Sequence, residues 1–126
     1  NKLQFLGAAL QNLKVISEFN TAYISLTQEE LDRHNFKKGD TEGFVNYGLS
    51  LDGIKFAVIF IENESEKIIK ISFRSKGTFN VNKFARAHFE GGGHINAAGG
   101  KSDLSMNDTI VRFNKILPEY EQELTQ

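Results

Sequence analysis

The residues best suited to chemistry form one run, Gly91-Gly92-Gly93-His94-Ile95-Asn96-Ala97-Ala98-Gly99-Gly100, in which five of ten are glycine and two are alanine. Three consecutive glycines cost chain entropy. A glycine-rich turn can aim successive N–H groups into one concavity that holds an anion. His94 closes the triplet. Its imidazole can donate to a phosphate oxygen, and a dianion nearby would favour its charged form. Ala97 and Ala98 lack bulk, which would let a ribose or base lie against the backbone. The plainer reading is a helix C-cap and a tight turn, for which a single glycine suffices. No Lys-Ser/Thr follows the glycines, so the loop is not of the Walker type.

Arg74-Ser75-Lys76-Gly77 is the second chemical element. Arg74 is expected on the polar face at a strand end, where a guanidinium can grip phosphate or carboxylate in a bidentate way that lysine cannot. Ser75 would add a hydroxyl. A solvated arginine is the default for any such position alone, so the assignment depends on pairing with His94. His34, between Arg33 and Asn35, reads as a surface residue. His88 reads as structural, at a helix end where a cation would favour the dipole. Asp40 and Glu42 are close in sequence, but no histidine is spaced to join them as metal ligands.

Several elements must position these groups. Leu3, Leu6, Leu10 and Leu13 recur at helical spacing and predict an amphipathic helix over residues 2–17. Thr21–Leu26 is expected as a strand with Ala22, Ile24 and Leu26 on one face. Thr27-Gln28-Glu29-Glu30 has the form of a capping box and should start a short helix. Asp40 or Thr41 could cap another, carrying Phe44, Val45 and Leu49. Ile54–Ile61 is apolar on both faces, the pattern of a central strand. After a polar connector, Glu62–Glu66, the stretch Lys67–Arg74 predicts an antiparallel partner with Ile69, Ile71 and Phe73 inward. Asn80 should cap a helix that buries Val81, Phe84 and Ala85 and ends at the glycines. Ala97–Lys101 reads as a short edge strand. Ser105 with Asp108 marks a last helix with Ile110, Val111, Phe113, Ile116 and Leu117 apolar, ended or kinked by Pro118. Together these predict one domain, α/β or α+β, with a small mixed β-sheet and flanking helices.

With 126 residues, 40% apolar and 25% charged, the chain has the composition of one globular domain and neither a disordered tail nor a fibre. It has no cysteine, which excludes a disulfide scaffold or thiolate metal site and fits a reducing, cytoplasmic compartment. No apolar run approaches the ~20 residues that span a bilayer. The net charge of −1 hides an asymmetry: Lys67 to Lys101 holds seven basic residues and one acid, Glu90, whereas the remainder has eight basic and fifteen acidic residues. A cationic segment on an anionic body favours an anionic ligand held at one place over broad coating of DNA. The first residue is Asn1, within a helix already under way, so the chain reads as a piece of a longer protein.

Ser72-Phe73-Arg74-Ser75, Asn80-Val81 and Gly91-Gly92-Gly93-His94 with Ala97-Ala98-Gly99 resemble the C-terminal DHH-associated domain of DHH-family phosphoesterases. Asp40-Thr41-Glu42-Gly43 and Val45-Asn46-Tyr47 match a further recurrent stretch. The branch it looks most like contains oligoribonucleases, adenosine-bisphosphate phosphatases and cyclic-dinucleotide phosphodiesterases. The resemblance implies that residues 1–126 are a substrate-binding domain, with residues 1–17 a helix following the interdomain linker. A missing N-terminal domain of the same chain would carry Asp-His-His and a dinuclear manganese site. On that reading Arg74, Ser75, Gly91, Gly92, Gly93, His94 and Ala97 bind the substrate, and neither catalytic nor metal-binding residues lie in this chain. Expected partners are short RNA or a small nucleotide and the catalytic domain, with no membrane; a homodimer is left open. The reading from another class is a non-catalytic module that binds single-stranded RNA or senses a nucleotide.

Overall fold

A computed structural model describes residues 2–35 and 41–126. Helix α1 spans Lys2–Gln11, shorter than the predicted 2–17. The leucine stripe is only in part its inward face: Phe5 and Ala9 are buried, Leu6 and Leu13 pack half-buried against the same core, and Leu3 is 79% exposed. The helix stops because the Asn12 amide turns away to donate to the Ser25 carbonyl at 2.8 Å and to Glu30 Oε2 at 2.7 Å. The β-branched Val15 and Ile16 then suit a strand, and Lys14–Ile16 forms β1, antiparallel to β2 (Thr21–Leu26).

Ala22, Ile24 and Leu26 of β2 are buried, as their alternation predicts. Helix α2 (Gln28–Arg33) begins with the expected capping box: the Glu30 N–H donates to the Thr27 hydroxyl at 3.2 Å and the Thr27 N–H donates to Glu30 Oε1 at 2.9 Å. Helix α3 (Thr41–Ser50) follows, with Phe44 and Val45 buried. The proposed caps of α3, Asp40 and the Thr41 side chain, lie outside the described residues.

Strand β3 (Phe56–Asn63) is central and pairs parallel with β2 and antiparallel with β4 (Ile68–Ser75). The hairpin connection is 64–67, slightly later than predicted. Its tightness without glycine comes from Lys67, which takes a left-handed φ of 56°, and from the Asn63 side chain, which accepts from the Glu66 N–H at 3.0 Å. The six-stranded sheet has the order β1-β2-β3-β4-β6-β5, with β5 at Gly92–Gly93 and β6 at Ala97–Ser102. The fold is therefore a mixed α/β sheet with flanking helices. Over part of its length β6 lies between β4 and β5, so the predicted edge strand is covered there by the two-residue β5.

The two faces of β3 carry two cores. Ala57 and Ile59 pack with Phe5, Ala9, Ile24, Leu26, Phe44 and Val45. Phe56, Val58 and Phe60 pack with Ile71, Phe73 and the side chains of α4 (Val81–His88) and α5 (Met106–Ile116). In this second core Phe84 meets Phe56 edge-on at 5.0 Å between ring centroids and Phe113 at 6.0 Å. Burial of this kind, about 25 cal/mol per Å² of apolar surface, fixes β3 and β4 and hence the strand end that bears Arg74. Val111, one of the apolar positions of α5, is 45% exposed, because Thr109, Phe113 and Ile116 form the buried face of that helix. As expected of Pro118, α5 ends just before it, at Ile116; the chain then tightens into a 3₁₀ turn, Leu117–Tyr120, and continues as α6 (Glu121–Leu124).

That turn brings Tyr120 onto α4, where its hydroxyl lies 2.7 Å from His88 Nε2. The expectation that a charged His88 favours the helix dipole is corrected by this packing. Burial pushes the His88 pKa below its ordinary value, with a smaller push from Arg112 that Glu119 opposes. Unfolding therefore lets His88 take up a proton that the folded chain resists. Melting temperature is expected to fall as the pH drops below about 6.5, the ordinary histidine value. His88→Asn should flatten that part of the slope, as melting curves of both proteins between pH 8 and 5 would record.

Candidate functional site

Helix α4 starts at the expected cap, where the Lys83 N–H donates to Asn80 Oδ1 at 3.0 Å. It ends at Phe89, and Glu90 turns the chain with a left-handed φ of 49°. Gly91 then passes directly over β6: a Cβ built there would lie 1.9 Å from the Gly99 carbonyl oxygen and 2.7 Å from Gly100 Cα. Gly93 is similarly close, 2.6 Å from the Ala97 carbonyl oxygen. These two positions need glycine because backbone lies against backbone.

The hydrogen bonds correct the expectation of an amide cradle. The Gly91 N–H donates to the Ala85 carbonyl at 3.2 Å, the Gly93 N–H to Asn82 Oδ1 at 2.8 Å, and the His94 N–H to the Ala97 carbonyl at 2.7 Å. Gly92 is paired with Gly99 in the β5–β6 ladder. Two of the three glycine amides expected to face an anion, those of Gly91 and Gly93, are thus spent inside the domain. The glycines set the position of the following turn, and the exposed side chain of His94 is what that turn presents.

The turn is strapped to the end of β4. The Ser75 N–H donates to the Asn96 carbonyl at 3.1 Å, the Asn96 amide donates to Ser75 Oγ at 2.9 Å and to the Gly77 carbonyl at 3.1 Å, and the Val81 N–H donates to the Ile95 carbonyl at 2.8 Å. Ser75 is buried and donates its hydroxyl to the Phe79 carbonyl at 2.6 Å. It therefore positions the turn, whereas the sequence suggested a hydroxyl directed at a ligand. Asn82 and Asn96, which hold the glycines and the turn, were not singled out by the sequence reading. Their signal was present in type only, since asparagine side chains readily bond to nearby backbone.

Arg74 and His94 come to the same end of the sheet. Arg74 stands directly across from Ala97 in the β4–β6 ladder, and the Ala97 carbonyl receives the His94 N–H. The Arg74 guanidinium donates to the Phe73 carbonyl at 2.9 Å from a half-buried position. Alternation along β4 turns Ile69, Ile71, Phe73 and Ser75 into the α4–α5 core, and leaves Lys70, Ser72 and Arg74 on the opposite face. Their direct partners there are Lys101, Gly99 and Ala97. The face between them is lined by small groups and flanked by cations. It can bind an anion by charge and by guanidinium hydrogen bonds. Two hollows of about 290 Å³ and 470 Å³ lie elsewhere, one at the β3–β4 hairpin around Glu62 and Asp103, the other around Gly53, Lys76 and Glu123. Neither is lined by Arg74 or His94.

Among the described residues no three His, Asp or Glu side chains gather into a group able to hold a metal ion, and no helix is long and apolar enough to cross a membrane. His34 is half-buried, its ring 5.8 Å from that of Phe5, which gives it a packing role.

A family model described as DHHA1 domain matches residues 12–123. A comparison with curated proteins finds no match. Among solved structures, an exopolyphosphatase-related protein from Bacteroides fragilis is 40% identical with a TM-score of 0.93, over 99% of this chain and 36% of that one. The pGpG-specific phosphodiesterase PggH from Vibrio cholerae matches with a TM-score of 0.59 at 10% identity, over 94% of this chain and 38% of that one. CDC45 from Entamoeba histolytica matches with a TM-score of 0.66 at 11% identity, over 97% of this chain and 27% of that one. At such identities the last two share the fold. The chain spans about a third of the Bacteroides protein's length.

Proposed function

Because the chain belongs to the DHHA1 domain family, we propose that it is the substrate-binding domain of a DHH-family phosphoesterase acting on short oligoribonucleotides or on small cyclic or bisphosphorylated nucleotides. The observation that carries this reading is that Arg74 and His94 both lie beside Ala97 at one end of the sheet, through the Arg74–Ala97 register and the His94–Ala97 turn. There they would hold phosphate oxygens by charge and hydrogen bonding, which orients the substrate without transferring a proton. The description of the Bacteroides relative as exopolyphosphatase-related supports a phosphate-bearing substrate.

The described residues of this chain do not fit a manganese centre. Manganese, if the parent uses it, would be held outside this chain, and the work of Arg74 and His94 is to bind and align the substrate. The test compares the full-length protein with the 126-residue chain. With Mn²⁺ the full-length protein is expected to hydrolyse a diribonucleotide or adenosine 3′,5′-bisphosphate, and the chain alone is expected to hydrolyse neither. Turnover by the chain alone would overturn the division of labour. A parent that binds single-stranded RNA but turns over none of these substrates would favour the non-catalytic module.

A further inference from the structure

Lys70 and Lys101 face each other directly across the β4–β6 ladder, and both are exposed. Like charges so placed repel and weaken strand pairing. Glu66 offsets part of this by an ion pair with Lys70 at 2.9 Å, its side chain half exposed. Lys101 has no carboxylate in ion-pair range among the described residues. Arg74 stands on the same face four residues further along β4, about 13 Å away at the usual rise of an extended strand. Ser72 lies between them, opposite Gly99, so neither β4 nor β6 itself places a large side chain along that stretch.

We propose that Lys70 and Lys101 form a second phosphate contact, and that the β4–β6 surface between them and Arg74 is a track for a linear oligoribonucleotide. This rests on the reading of Arg74 and His94 as the first phosphate contact. A single nucleotide carrying two phosphates is too short to reach both ends of the track, whereas a chain of several phosphodiesters spans it. Contacts to the phosphate backbone carry no base preference, so the track selects for length and is indifferent to sequence. Glu66 competes with the RNA for Lys70, which keeps the far end of the track weak.

The test uses the full-length protein with Lys70→Gln and Lys101→Gln combined, and compares a pentaribonucleotide with adenosine 3′,5′-bisphosphate. KM for the pentamer should rise about tenfold and the salt dependence of its binding should become shallower by about one to two in the log–log slope. KM for the bisphosphate should stay within about twofold, since phosphate contacts act only where a phosphate reaches. Glu66→Gln should move the pentamer KM the opposite way. Equal changes for both substrates, or none for the pentamer, would overturn the track. So would a length-dependent loss on inorganic polyphosphate with RNA unaffected. A wild-type protein that takes the bisphosphate but gains nothing from longer RNA overturns the track alone. One that takes neither overturns the nucleotide reading beneath it.

Discussion

Arg74→Ala in the full-length protein is expected to lower kcat/KM for a nucleotide substrate by about 10²- to 10³-fold, the usual cost of removing one preorganised charged contact to a reacting group. His94→Ala should act in the same direction. The melting temperature of both variants should stay near that of the wild type, because the Arg74 guanidinium is half-buried and His94 is exposed on its turn. Arg74→Lys separates charge from geometry: a lysine keeps the cation but loses the planar fork, so activity should be only partly restored. Steady-state kinetics on all three variants, beside their melting curves, decide the matter. Wild-type rates in both alanine variants would remove the phosphate assignment. Loss of activity accompanied by a large fall in melting temperature would reassign Arg74 to the fold.

Gly91→Ala should be the most damaging glycine-to-alanine change among the described residues. The added methyl would lie 1.9 Å from the Gly99 carbonyl oxygen and 2.8 Å from the Gly99 carbonyl carbon, and neither can move without opening β6. Overpacking of this kind costs about 3 kcal/mol or more when the obstacle cannot relax. For a domain of this size that corresponds to a fall of about 10 °C in melting temperature. Gly7→Ala is the control: its site on exposed α1 meets nothing within 4 Å, and alanine there should be neutral or stabilising by up to about 1 kcal/mol. Thermal melts of the two variants should therefore move apart. A Gly91→Ala protein as stable as the wild type would mean that Gly91 does not lie in such close contact with β6.

Where physical pattern is strong, the sequence reads directly. The two-faced apolar run of β3, the alternation of β4 and the caps Thr27, Asn80 and Ser105 each follow from local chemistry, and each is in place. The N-terminal region reads less well because a leucine every three or four residues looks like a buried stripe wherever it occurs. Burial instead selected Phe5 and Ala9, and the Asn12 amide ended the helix through partners that lie 13 and 18 residues away. The glycine run is the sharper case. Three glycines are equally consistent with amides turned toward an anion and with backbone pressed against backbone. The choice is made by Ala85, Asn82 and Ala97, whose proximity no local pattern encodes. Ser75 reads from the sequence as a hydroxyl offered to a ligand, and nothing local reveals its buried position beneath the turn. Lys70 and Lys101 are separated by 31 positions in sequence and become neighbours only through the β4–β6 register.

The sheet's outermost strands are β1, of three residues, and β5, of two. Each leaves little unpaired ladder for a foreign strand to extend, and Lys14 adds a charge at the first of them. The eight-residue strands β3 and β4, whose apolar faces would be the most adhesive, are enclosed on both sides. Association by strand addition is thus disfavoured at these borders, and mutual repulsion of the exposed Lys70 and Lys101 opposes stacking of face on face.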